Sequence, residues 1–168
     1  MNFHSFQRFG RELYKLKKDV VYRNFNNIKK KLERMGYVRG GRLTEKGEFS
    51  SRIYADEILM GEIFATDFHK QLDEFQVMMV IACLCYEAKE KTEFYKRFYS
   101  KSVSDLKRKI RLNSYLKNEK RFYCLKDLTA LIHPCYYGDT IFDAIKNSNL
   151  LEGDIIRFFR QILDTVSY

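Results

Sequence analysis

The sequence predicts a mainly α-helical chain with one small β-hairpin, a helix-helix-hairpin part at the N-terminus followed by an α-helical bundle. Three observations predict it. Apolar residues recur every three to four positions along most of the chain, the spacing that lines one face of a helix. A single proline, Pro134, interrupts 168 residues. One strong turn signal, Gly40-Gly41, stands between two short extended-type stretches.

The elements follow in order. Residues 5–18 predict a helix with Phe6, Phe9, Leu13 and Leu16 on one side. A second, from about Tyr22 to Met35, carries Phe25, Ile28, Leu32 and Met35, and Gly36 stops it. Tyr37-Val38 and Leu43-Thr44 flank the turn Arg39-Gly40-Gly41-Arg42 as a hairpin. Helix, helix and hairpin form the back half of a winged helix, with the hairpin as its wing. Residues 48–64 predict a helix through Phe49, Ile53, Ile58, Leu59 and Ile63. Residues 71–90 are apolar nearly all round, which places that helix at the centre of a bundle. Residues 92–100 are aromatic and basic. From Val103 to about Glu119 the pattern is a basic amphipathic helix, with Leu106, Ile110 and Leu116 inward and Lys107, Arg108, Lys109, Arg111 and Lys117 outward. Helices near 124–132 and 138–147 are separated by His133-Pro134. The final helix puts Ile155, Ile156, Phe159, Ile162, Leu163 and Val166 on one face, with Arg157, Arg160, Gln161 and Asp164 opposite. The expected domains are 1–55, the winged-helix part with its hairpin, and 56–168, the helical bundle.

Charge is distributed in blocks. Residues 1–55 hold 14 Lys/Arg against 5 Asp/Glu, and residues 89–126 hold 13 against 4, a net of +9 in each. Residues 56–88 carry a net −6 and residues 127–168 a net −3. Two strongly basic segments alternating with acidic ones favour a polyanionic partner, and nucleic acid is the natural one. No run reaches the roughly 20 apolar residues of a membrane-spanning helix, so no membrane partner is expected. The N-terminus lacks the apolar core of a secretory signal. Cys83, Cys85, Cys124 and Cys135 form no Cys-x-x-Cys pair, and they read as free thiols in a reducing compartment. An intracellular location, cytoplasmic or nuclear, is therefore expected. His4, His69 and His133 are too scattered for a metal site.

Enzyme chemistry is not expected of this chain alone. No Gly-x-x-x-x-Gly-Lys-Ser/Thr string exists to cradle a triphosphate, and no cofactor is expected. Asp56-Glu57 and Asp73-Glu74 are followed by Leu59 and Gln76 where a DExH box has histidine. Both pairs stand at expected helix starts, where acids are favoured anyway.

Three passages carry a resemblance. They are Asn27 to Val38 with Leu43-Thr44-Glu45-Lys46-Gly47, then Ile53 to Phe64, then Gly138 to Asp164 with Glu152-Gly153-Asp154-Ile155-Ile156-Arg157 and Arg160. In this order and spacing they resemble the C-terminal region of the superkiller-type DExH RNA helicases, from the end of the winged helix through the helical bundle named DSHCT. That family usually has a tryptophan shortly before the glycine at 138, where this chain has Cys135 and Tyr136. A basic residue often follows Arg160, where this chain has Gln161. The resemblance implies a non-catalytic module that packs against helicase ATPase domains, on the same or a separate chain, in an exosome-associated setting. It implies single-stranded RNA passing along the final helix at Arg157 and Arg160. Residues outside that helix are candidate RNA contacts by charge and position: Lys107, Arg108 and Arg111 on the basic helix, and Arg39 and Arg42 at the hairpin turn. Two other readings stay open. One is a stand-alone winged-helix DNA-binding regulator using Arg23, Lys29, Lys30 and Arg34 in a major groove. The other is a structural domain that docks on an acidic protein surface.

Overall fold

The computed structural model describes residues 3–53 and 56–166; within the first helix, side chains of residues 3–14 and 16 lie outside the description. The inward set Phe6, Phe9, Leu13 and Leu16 falls among them. The chain forms two compact units, Met1–Thr66 and Asp67–Tyr168. Mainly α structure with one small hairpin is what the described residues show.

In the N-terminal unit, one continuous helix, α1 (Phe3–Arg34), replaces the two expected. The joint at Lys18-Asp19-Val20-Val21 contains neither glycine nor proline, so nothing breaks the backbone ladder there. The helix ends where expected, through paired bonds from Tyr37 N to Leu32 O (2.9 Å) and Gly36 N to Glu33 O (3.1 Å). Strands β1 (Val38–Arg39) and β2 (Arg42–Leu43) then pair antiparallel, Val38 opposite Leu43 and Arg39 opposite Arg42. Gly40 and Gly41 have φ of 57° and 76°, the left-handed pair that a two-residue hairpin turn requires.

The expected helix over 48–64 is two helices, α2 (Glu45–Ser51) and α3 (Glu57–Phe64). Thr44 caps α2 by accepting from Gly47 N, and Asp56 opens α3 in the left-handed region at φ 56°. Tyr37, 2% exposed, ties α3 to the hairpin. Its hydroxyl donates to Ile58 O (2.9 Å) and Glu62 Oε1 (3.1 Å). Lys46 Nζ meets the same carboxylate oxygen at 2.6 Å, donates to Met35 O at 3.2 Å and lies 4.4 Å from the Tyr37 ring centre. These bonds explain why the units divide after Thr66 and not near 55.

The C-terminal unit is built on α4 (Glu74–Cys85), where Met79, Val80, Ala82 and Cys83 are fully buried. Around it pack α5 (Lys101–Leu112), α6 (Leu125–Tyr136) and α8 (Glu152–Val166); α7 (Ile141–Ile145) packs on α6. The basic helix α5 is shorter than expected. It stops at Asn113, whose side chain accepts from Tyr115 N and Leu116 N, both at 2.9 Å. Between α4 and α5 the chain is irregular, and its residues 91–95 pair with residues 147–149. Tyr95 N donates to Asn147 O (2.8 Å), and Asn149 Nδ2 to Lys91 O (2.8 Å).

Two further expectations are corrected. Helix α6 does not end at His133 but runs through Pro134 to Tyr136. Proline at 134 cannot donate to the carbonyl of Ala130, and the buried amide of Asn147 supplies the missing bond (Nδ2 to Ala130 O, 2.9 Å). In α8 the buried face is Ile155, Phe158 and Ile162. Ile156, Leu163 and Val166, expected inward, are exposed by 49%, 66% and 56%. Phe158 sets this rotation by meeting Tyr86 edge-on, ring centres 5.9 Å apart.

Two stability predictions follow from this packing. A Cβ on Gly47 would stand 2.2 Å from the Tyr37 carbonyl oxygen, whereas one on Gly153 would meet nothing within 4 Å. Thermal unfolding should show Gly47→Ala destabilised by roughly 1–3 kcal/mol and Gly153→Ala unchanged or stabilised by up to about 1 kcal/mol. Removing the Asn147 amide orphans the Ala130 carbonyl, so Asn147→Ala should cost roughly 1–3 kcal/mol in urea unfolding. In a Pro134→Ala background, where the helix supplies its own donor, most of that loss should vanish.

Candidate nucleic-acid interface

Helix α5 begins with Ser100, whose hydroxyl accepts from Val103 N at 3.2 Å. Val103, Leu106 and Ile110 recur at helical spacing and are buried, so the remaining positions face outward or sideways. Lys107, Arg108 and Arg111 all project from the exposed face. Lys109 does not join them, contrary to expectation. It turns along the edge of the helix to Asp105 Oδ2 (2.7 Å) and Gln76 Oε1 (3.0 Å), and donates also to Gln71 O.

That edge is a dense polar junction. Gln76, 1% exposed, donates from Nε2 to Ser102 O (2.9 Å) and Asp105 Oδ2 (3.2 Å), while its Oε1 accepts from Asp73 N (3.2 Å) and Lys109. Ser102 adds a bond from its hydroxyl to Asp73 Oδ2 at 2.8 Å. Asp105 also receives Arg108 at 2.6 Å. Hydrogen bonds from Lys109, Arg108 and Gln76 hold the Asp105 carboxyl far below the ordinary carboxylate range.

The exposed side of α5 opens a groove of about 380 Å³. Lys107, Arg108 and Arg111 line it with Tyr99, Ser100, Val103, Ser104, Leu112 and Lys126. Tyr99 is 75% exposed, and Lys126 Nζ lies 5.8 Å from its ring centre. The preceding residue explains this orientation. Phe98 stacks on His133 with ring centres 4.4 Å apart and planes within 6°, and its backbone N donates to Thr129 Oγ1 (3.0 Å). Tyr99, the next residue, lines the groove on the opposite, exposed side. Burial among these rings holds the His133 imidazole below its usual value. Lys107, Arg111 and Lys126 make no ion pair with any described residue. Four cations therefore face this groove with Asp105 as the adjoining carboxylate.

Arg157 and Arg160 are exposed on α8 of the same unit. Arg157 reaches Asp154 Oδ1 at 3.0 Å on its own helix, and Lys89 takes the other oxygen at 2.7 Å. Lys89, with Arg157, keeps the Asp154 carboxyl below its ordinary value. Arg39 and Arg42 are exposed side by side at the hairpin turn of the other unit. Thus the structure gathers Lys107, Arg108 and Arg111 in one groove, and each arginine pair on a separate element. Tyr99 and Lys126 were not singled out by sequence. The signal was the aromatic and basic run 92–100, but which of its rings faces outward depends on α6.

Among the described residues no group of three or more His, Cys, Asp or Glu could hold a metal, and no helix is long and apolar enough to cross a membrane. The family described as the DSHCT (NUC185) domain matches residues 40–167, from the hairpin turn to the end of α8. The chain belongs to the DSHCT family. This bears out the resemblance to the C-terminal region of superkiller-type DExH helicases. A relative described as mRNA transport homolog 4, from Caenorhabditis elegans, is 24% identical over 148 residues. The match covers 82% of this DSHCT chain and 14% of that relative's length. No solved structure matches. Of the candidate RNA contacts, all but Arg39 lie inside the DSHCT match.

The Asp105 junction makes a pH prediction. A carboxyl depressed in the folded state contributes stability that is complete above its unfolded value of about 3.9 and is lost as pH falls toward and through the folded value. Asp105→Asn should lower the unfolding temperature at pH 7 and flatten its fall between pH 5 and 2, measured by circular dichroism.

Proposed function

We propose that this protein is a non-catalytic RNA-path module of a superkiller-type RNA helicase, acting in RNA processing or decay. It binds single-stranded RNA and packs against ATPase domains carried on the same or a separate chain, in an exosome-associated, intracellular setting. The hairpin unit is read as the end of a winged-helix module. The observation that carries the proposal is the exposed cationic face of α5, with Lys107 and Arg111 in no ion pair with a described residue, in a chain of the DSHCT family. Such a face binds phosphates by counterion release, which needs no sequence readout. Arg157 and Arg160 are exposed and available as the resemblance requires, Arg157 keeping only one partner on its own helix. The exposed apolar residues Ile156, Leu163 and Val166 flank them and suit a protein neighbour such as an ATPase domain. ATP turnover would come from those domains, because the sequence has neither a Walker loop nor a DExH box.

The test is affinity for a single-stranded RNA of about a dozen nucleotides, titrated across salt concentration. Binding should weaken steeply with salt, with about 0.7 of logarithmic slope per phosphate neutralised. Replacing Lys107 and Arg111 together by Ala should reduce that slope by roughly 1.4. Arg157→Ala with Arg160→Ala should weaken binding at low salt. Absence of RNA binding at low salt, or a clear preference for a DNA duplex, would overturn the proposal.

A further inference from the structure

The groove on α5 differs from a plain basic helix face in one respect: an aromatic ring stands at its edge. We infer that it is a single-nucleotide subsite, in which Tyr99 stacks a base while Lys107, Arg111 and Lys126 hold the adjoining phosphates. The subsite rests on the RNA-handling reading above and assigns a part of it that charge alone does not.

Four observations support it. The groove's volume of about 380 Å³ falls at the lower end of the range for small-ligand sites, the size of one nucleotide and too small for a folded partner. Tyr99 leaves three quarters of its surface to solvent although the neighbouring Phe98 is engaged with His133, so its ring is presented rather than stored. The cations Lys107 and Arg111 are four residues apart on one helix, about 6 Å along the axis, and neither makes an ion pair with a described residue. Lys126 reaches the same ring from α6, so two elements with a fixed mutual packing converge on it. An aromatic face beside unpaired cations is the combination by which proteins hold a single strand without reading its sequence. An acidic peptide would use the cations but leave the ring idle, which makes the ring the discriminating group.

The experiment uses the full chain and compares three ligands of equal charge: a uridine oligonucleotide, an abasic strand of the same length, and a poly-glutamate peptide. Tyr99→Ala should weaken the uridine strand by about fivefold or more at every salt concentration, the range for losing one stacked base, with the salt slope unchanged. Tyr99→Phe should bind as the unsubstituted chain does. The abasic strand should bind more weakly than uridine and be indifferent to Tyr99→Ala. Because the chain has no tryptophan, Tyr99→Trp supplies a lone indole that can be excited at wavelengths where tyrosine does not absorb, and stacking should quench it with uridine but not with the abasic strand. Uridine binding that survives Tyr99→Ala unchanged, or abasic and peptide ligands that bind equally well, would overturn the subsite while leaving the RNA reading standing. Failure of the unsubstituted chain to bind RNA would remove both.

Discussion

A buried amide decides which way the basic helix faces. Gln76 uses both its donors and both its acceptor positions within hydrogen-bond distance, and every partner but one, Asp73, lies on α5. A buried amide whose polar groups are all satisfied is specific as well as stabilising, because any other rotation of α5 would leave Gln76 unpaired. The apolar stripe Val103, Leu106 and Ile110 would tolerate a modest roll of the helix; the Gln76 bonds would not. The direction of Lys107 and Arg111 is therefore a consequence of α4, one layer beneath their exposed face.

Charge pairing is arranged with similar selectivity. The carboxylates of the chain neutralise particular cations, Glu62 with Lys46, Asp127 with Arg97, Asp105 with Lys109 and Arg108, Asp154 with Lys89 and Arg157. These pairs join elements or fix helix ends. Among the described residues, Lys107, Arg111 and Lys126 are left without an ion pair around one groove, while Lys91, Lys96, Lys101, Lys117, Lys120 and Arg160 are left so elsewhere on the C-terminal unit. An isolated exposed pair contributes little to stability, so the arrangement matters chiefly for the field it leaves behind.

Much of this was legible in the sequence, and the failures have identifiable causes. The hairpin at Gly40-Gly41 and the central position of the helix around Met79 follow from local chemistry and periodicity, and both are present. Boundaries set by tertiary bonds were not legible. Tyr37 reaching Glu62, 25 residues away, moved α3 into the first unit. Two expected helices fused because no residue between them opposes helix. The rotation of α8 escaped because its apolar residues occupy a wide arc, and tertiary contacts such as that of Phe158 with Tyr86 select which part is covered. Lys109 looked like any other cation of its helix until Gln76 was placed beside it. At the site, the basic residues of α5 could be read from composition. Tyr99 and Lys126 could not, since their convergence depends on how residues 92–100 cross α6.

Pro134 gives the C-terminal unit an unusual way of locating a distant segment. A carbonyl left bare in the middle of a helix accepts one donor from outside, and here only Asn147 among the described residues answers it. The same asparagine, five residues ahead of the α8 entry, holds the backbone of Tyr95, and the next two residues fasten the stretch at 91–94. An imino acid in one helix thereby registers the start of another, and drift in that register would tilt Arg157 and Arg160 without altering either residue.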